Sequence, residues 1–226
     1  MVLLRNIRSV KTQAKKLFTR PLNSTSFIYI HPCCPQSYHD LIKRNVSLHP
    51  DFVSEAEENS LLDEIEPIIS RRRYEFDHWD DVIHGYRETD WSSWNSTNAG
   101  VFDRVRATAF SRKGNLISPI HILDLSETGW IKPHVDSVRF CGNIIAGLSL
   151  LSDSVMRFVM EENKSVVFDV LLQRRSLYVM KDEIRYKFLH EILKDEESFF
   201  CGTRIEKGRR ISLICRNEKN ESNAVT

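Results

Sequence analysis

Gly129-Trp130-Ile131-Lys132-Pro133-His134-Val135-Asp136-Ser137 is the stretch from which the fold is read, because it sets an imidazole and a carboxylate two residues apart beside a turn. In an extended backbone, residues i and i+2 share a face, so His134 and Asp136 can converge on one ion while Val135 turns into the core. Two histidines and one carboxylate on one side of an Fe(II) ion leave its other positions open for an organic acid and oxygen. A third side chain is therefore required, and His190 in Tyr186-Lys187-Phe188-Leu189-His190-Glu191-Ile192 is the candidate. So distant a partner must come from a different strand of a closed sheet, which a jelly roll supplies. An H-x-D tripeptide alone is common, and His190 alone would read as a core or surface histidine.

The end of the chain carries the sharper test. In Gly208-Arg209-Arg210-Ile211-Ser212-Leu213-Ile214-Cys215-Arg216, strand periodicity puts Arg210, Ser212, Ile214 and Arg216 on one face and Arg209, Ile211, Leu213 and Cys215 on the other. A barrel interior is a costly place for an unpaired guanidinium, so inward arginines call for an anionic partner, and a dicarboxylate would be one. The planar fork of arginine holds a carboxylate through two parallel hydrogen bonds. The alternative is a protein acid such as Asp136, or water at a strand end, and for Arg216 that alternative stays open.

Working outward, Ser54 and Glu57 form a capping-box pattern ahead of Leu61, Leu62, Ile65, Ile68 and Ile69, which predicts an amphipathic helix to about Ser70 with Pro67 as a kink or early end. Arg71, Arg72 and Arg73 follow it. Tyr74 to Trp94 mixes aromatics with charges and reads as a loop-rich cover, and a second helix is expected from Val101 to Phe110. After Gly114 short apolar runs follow: Ile117 to Leu125, Cys141 to Leu151, Val155 to Met160, Val166 to Leu172, Ser176 to Met180, Tyr186 to Ile192 and Ile211 to Arg216. Helices first and close-spaced strands after them predict an α+β protein: a jelly-roll-like sandwich or barrel with N-terminal supporting helices.

The chain has 226 residues and a formal charge of +1, from 32 basic and 31 acidic side chains, so there is no general electrostatic case for nucleic acid. One sizeable core is expected, starting near Leu48 and ending at about residue 217, with a polar, disordered tail over 218–226. Five cysteines fit neither a disulfide scaffold nor a metal-type spacing, which favours a reduced compartment. No apolar run reaches the roughly 20 residues that cross a bilayer. Arg5, Arg8, Lys11, Lys15, Lys16 and Arg20 precede the first acid, Asp40, so residues 1–25 read as a mitochondrial transit peptide, with a basic tail or nucleic-acid arm as the alternative.

These residues resemble the AlkB-type Fe(II)/2-oxoglutarate dioxygenases over roughly Leu48 to Arg216. The resemblance is carried by H-V-D at His134 to Asp136, the distal His190, and the R-x5-R pair Arg210 and Arg216. The strings R-R-R-Y-E-F-D-H-W-D, I-K-P-H-V-D-S, I-A-G-L-S-L-L-S, H-E-I-L-K-D-E-E-S-F-F and G-R-R-I-S-L-I-C-R look like a mitochondrial member of the animal set. The resemblance implies a double-stranded β-helix with Fe(II) on His134, Asp136 and His190 and with 2-oxoglutarate chelating the metal. It further implies Arg210 on the distal carboxylate, Arg216 near the metal end and Tyr178 hydrogen-bonded to the co-substrate. It suggests matrix localisation, oxidation of a C–H bond with oxygen, a role in programmed necrosis and fatty-acid metabolism, and hence a protein substrate. Demethylation of mitochondrial RNA or DNA and a metal-bound interaction protein with little turnover are the alternatives. The sequence departs from the nucleic-acid demethylases of the family in one place. Where they carry Asn-x-Tyr ahead of the metal motif, His121-Ile122-Leu123-Asp124-Leu125 puts Leu123 and Leu125, which weakens base demethylation and leaves His121 as a substitute polar contact.

Overall fold

The computed structural model describes residues 26–76, 82–110 and 116–219. The basic segment 1–25, nearly all of the polar tail, and His78 and Trp79 of the aromatic stretch lie outside the described residues. In chain order the elements are β1 (Ile28–Ile30), α1 (His39–Asn45), β2 (Val46–His49), α2 (Glu55–Ile69), β3 (Ile83–Trp91), α3 (Ser96–Ala109), β4 (Ile120–His134), β5 (Ile144–Leu150) and β6 (Ser154–Met160). Then come β7 (Val167–Leu172), β8 (Ser176–Lys181), α4 (Asp182–Lys187), β9 (Phe188–Ile192), β10 (Phe199–Phe200), β11 (Thr203–Arg204) and β12 (Arg210–Arg216).

Strand β4 joins the two halves of the structure. One of its edges carries β3. Its other edge is shared in succession, first by β12 against His121 to Leu125 and then by β9 against Ile131 and His134. From β12 the sheet runs on through β5, β8 and β2, and from β9 through β6, β7 and β1, every ladder antiparallel. The result is two sheets facing each other across a core that includes Leu123, Leu125, Ile131, Ile145, Met156, Phe158, Phe168, Tyr178 and Ile192. A jelly-roll sandwich therefore forms, as the strand texture predicts.

The helices back one sheet. Leu61, Ile65 and Ile69 of α2 recur at a helical spacing of four, are fully buried, and pack with Val101 and Val105 of α3 on Ile122, Ala146, Leu148, Ile211 and Leu213. Each such side chain contributes roughly 1.5–3 kcal/mol by burial. The predicted capping box is present, with Glu57 N donating to Ser54 Oγ at 3.2 Å and Ser54 N donating to Glu57 Oε2 at 2.9 Å. Pro67 does not end the helix, which continues to Ile69. The second helix starts five residues earlier than predicted, because Asn95 caps it through its side-chain oxygen on Asn98 N at 2.9 Å.

Three expectations are corrected. Among the described residues from Tyr74 to Trp94, loop is not the main state: nine of them form β3, whose one ladder among the described strands is with β4, whose outer edge tolerates charge, and whose bulge between His84 and Tyr86 breaks the period of two. Gly85 takes φ +63 there, a conformation that suits a residue without Cβ. The sheet also recruits chain before Leu48, since β1 pairs with β7 and β2 with β8. Finally, β4 ends at His134, so Asp136 does not lie on the strand, and Val135 is half-buried rather than in the core.

Candidate active site

The space between the two sheets narrows onto three side chains. His134 ends β4 and faces His190 of β9 directly in the ladder, with ring centroids 4.3 Å apart. Asp136, two residues past the strand, brings Oδ2 to 3.5 Å from His190 Nε2. One candidate donor atom from each of the three lies within 4.8 Å of the others. The three predicted side chains are thus brought together.

Their protonation suits a cation. His134 Nδ1 donates to the Lys132 carbonyl at 2.9 Å, which leaves Nε2 as the ring atom available to an ion. Burial, with His134 adding to it, pushes the His190 pKa down to about 3, so it is neutral at pH 7. Burial alone would raise the Asp136 carboxyl, but His190, Arg216, His134 and Arg185 outweigh it and hold it below the usual carboxylate range. Two imidazoles and a carboxylate are the donor set that an Fe(II) facial triad needs, so these residues fit that ion.

The cavity they line holds about 570 Å³ of empty space including its mouth, and Tyr178, Arg210, Ser212, Ile214 and Arg216 share its wall. The face assignment read from periodicity holds: Arg210, Ser212, Ile214 and Arg216 line the cavity, whereas Ile211, Leu213 and Cys215 pack under the helices. Arg209, on the outer face, donates to fully buried Asp124, at 2.8 Å from Nη2 to Oδ2, and to Glu66 of α2. The two neighbouring arginines therefore have opposite roles. Arg210 is 2% exposed, and its hydrogen-bond partners among the described residues are hydroxyls, Ser149 Oγ at 2.8 Å and Ser212 Oγ at 3.5 Å; no carboxylate pairs with it there. Burial pushes its pKa down. Tyr178, also buried, has its hydroxyl pKa raised by burial, with the Arg210 guanidinium acting against that rise.

Arg216 takes a protein partner. Its Nη2 lies 3.8 Å from Asp136 Oδ1, the alternative left open by the sequence. His121 lines the cavity but points its nitrogens at acids of β3, Nδ1 to Asp90 Oδ1 at 3.0 Å and Nε2 to Glu88 Oε2 at 3.3 Å. Leu123 lines the wall and makes that part of the cavity apolar. Two residues that shape this pocket escaped the sequence reading. Gly147 sits opposite Tyr178 in the ladder, and a Cβ there would lie 2.6 Å from the tyrosine hydroxyl; a glycine inside the apolar run Cys141 to Leu151 was the available signal. Arg185 had no signal in the sequence, because its partners are main-chain atoms and a thiol.

Comparison with known proteins agrees with this geometry. The chain is 54% identical over 170 residues, 75% of its length, to a mouse protein named alpha-ketoglutarate-dependent dioxygenase alkB homolog 7, mitochondrial, and spans 77% of that protein. The bovine protein of the same name is 53% identical over 170 residues, covering 75% of this chain and 77% of its own length. A Caenorhabditis elegans protein named DNA N6-methyl adenine demethylase is 25% identical over 181 residues, 76% of this chain and 59% of that protein. Among solved structures, a Pseudomonas putida prolyl-4-hydroxylase superposes with a TM-score of 0.55 at 12% identity, over 80% of this chain and 96% of its own. OsALKBH1 superposes with a TM-score of 0.53 at 10% identity, over 76% and 97%. At those identities the likeness is one of fold. No family model matches the chain.

Proposed function

The chain belongs to the AlkB family of α-ketoglutarate-dependent dioxygenases and is a mitochondrial enzyme, and from that premise we propose that His134, Asp136 and His190 hold Fe(II) while Arg210 and Tyr178 hold 2-oxoglutarate for oxidation of a C–H bond in a protein. The observation that carries this reading is Arg210. A guanidinium 2% exposed, on the wall of the same cavity as the two histidines and the aspartate, without a carboxylate partner among the described residues, calls for an anion from outside.

When bound, iron and 2-oxoglutarate supply oxidative decarboxylation with oxygen and the oxidation of the substrate. The chain orients and shields. The bond from His134 Nδ1 to the Lys132 carbonyl orients that ring with Nε2 as its metal-binding atom. Arg210 receives the distal carboxylate through its fork, with Tyr178 and Ser212 beside it. Arg216 lies against Asp136 near the metal end and limits the directions in which that carboxylate can turn. Ile131, Leu123, Met156 and Ile192 keep the remaining wall apolar and limit water near the reacting atoms.

A protein substrate is supported by the leucine at position 123 and by Glu88 and Asp90 beside the mouth, which disfavour a phosphate backbone. The nucleic-acid alternative draws on the name of the nematode relative, and nucleic-acid binding that falls steeply with salt would favour it. The proposed organisation is a transit peptide over 1–25, a catalytic domain and a short tail, with residence in the matrix. A role in programmed necrosis and fatty-acid metabolism is proposed on the resemblance alone. The test is release of labelled carbon dioxide from 2-oxoglutarate by the protein with Fe(II). Slow release is expected without any prime substrate, and release no faster than that of His134→Ala would refute the reading.

A further inference from the structure

Arg185 lies on α4, five residues before His190, and its side chain is fully buried. It carries no carboxylate partner among the described residues. Its donors go instead to the loop that follows β4: Nη1 to the Asp136 carbonyl at 2.9 Å, Nη2 to the Ser137 carbonyl at 2.9 Å and to Cys141 Sγ at 3.0 Å, and Nε to the Gly142 carbonyl at 3.3 Å. The chain leaves the ladder at His134, so these main-chain groups have no strand partner, and buried carbonyls without partners are unfavourable. Guanidinium suits this task because it is more weakly hydrated than an ammonium and presents five N–H groups in one plane.

We propose that Arg185 is a positioning residue for the metal site: its fork fixes the loop from Asp136 to Gly142, and with it the carboxylate of Asp136, relative to the segment that carries His190. The proposal rests on the reading that His134, Asp136 and His190 hold the metal. It replaces the strand alternation expected from the sequence, since Asp136 is held by a guanidinium from another element and not by a ladder. One side chain thereby ties two of the three donor segments together, and the third, His134, is joined to His190 by direct pairing.

A lysine in place of Arg185 could satisfy only part of this set, because an ammonium is a single point; a thioether satisfies none of it. The test uses Co(II), whose visible spectrum reports donor geometry and needs no turnover. In Arg185→Met, Co(II) affinity should fall about 10–100-fold, as for other residues that orient metal donors. In Arg185→Lys it should fall several-fold, with an altered visible band in both variants. Affinity for 2-oxoglutarate at saturating Co(II) should stay near the parent's, because Arg210 is untouched. Arg157→Met removes a paired arginine from Asp169 on β7 and serves as a control: it should lower the melting temperature and leave Co(II) affinity unchanged.

Parental Co(II) affinity and spectrum in Arg185→Met, recorded well below its melting transition, would overturn the proposal. If Arg185→Met does not fold, the same result in Arg185→Lys overturns it. An equal loss of affinity in Arg157→Met would also overturn it, by showing general destabilisation. His134→Ala separates the metal site from the role of Arg185. If it binds Co(II) as the parent does, the metal reading has failed; if it loses Co(II) while the Arg185 variants keep it, only the role of Arg185 has failed.

Discussion

Replacing Arg210 by Met should uncouple co-substrate binding from stability. In the free protein the guanidinium is buried against Ser149 and Ser212 with no acid partner among the described residues, so its presence does little for the fold. Its removal relieves a desolvated cation and leaves Ser149 without one donor; the two changes oppose each other, and the unfolding free energy should move by less than about 1.5 kcal/mol. Binding is different. Truncating one partner of a buried, hydrogen-bonded charge pair costs about 2–5 kcal/mol, which corresponds to roughly thirty-fold to several thousand-fold in Kd. Calorimetric titration of 2-oxoglutarate into Mn(II)-loaded protein measures the binding effect, and urea unfolding of the unloaded protein measures the stability effect. A Kd within three-fold of the parent's would refute the assignment of Arg210. So would a stability loss above about 3 kcal/mol, which would mark it as half of a structural ion pair.

Three other perturbations probe the scaffold. Asp124→Asn weakens the anion that Arg87, Arg209 and Tyr74 share in a fully buried site, and should cost about 3–5 kcal/mol in urea unfolding; a loss below about 1 kcal/mol would contradict the network. Gly147→Ala drives a methyl group into Tyr178 and should raise the Kd for 2-oxoglutarate while leaving Co(II) affinity near the parent's, so an unchanged Kd would mean Tyr178 is not at the co-substrate. Burial pushes the Lys207 ammonium down to about 8 from its ordinary 10.5, so between those values the unfolded chain binds more protons than the native one and stability gains with rising pH. The unfolding free energy of the parent minus that of Lys207→Met should climb from about pH 8 to about pH 10; a flat difference would show that the lysine titrates normally.

How much of this was legible follows from which interactions are local. The capping box at Ser54 and the period of four through Leu61, Ile65 and Ile69 are read within a few residues, and α2 forms as expected. The alternation from Arg210 to Arg216 likewise predicts which side chains reach the cavity, because a strand has no freedom to choose. Strand β3 was hidden by a bulge at Gly85 and by the charges of an outer edge, both of which erase the period of two. Asp136 was matched with His134 for the wrong geometric reason: the motif spacing is right, but the chain has already left the sheet, and a residue 49 positions away holds it. Arg185 itself bonds only carbonyls and a thiol there, and no pattern of residue types marks such a bond. The partner of Arg216 stayed open in the sequence because its position at a strand end serves protein acid and co-substrate equally; the structure brings Asp136 to 3.8 Å.

On the proposed reading, one ion is held jointly by His134, Asp136 and His190 in front of Arg210. Anomalous diffraction from crystals grown with Mn(II) and an inert analogue of 2-oxoglutarate tests it most directly. One strong peak is expected within bonding distance of a nitrogen of each histidine and an Asp136 oxygen, with the far carboxylate of the analogue on the Arg210 guanidinium. A peak that omits any of the three, or an analogue carboxylate bound away from Arg210, would contradict it.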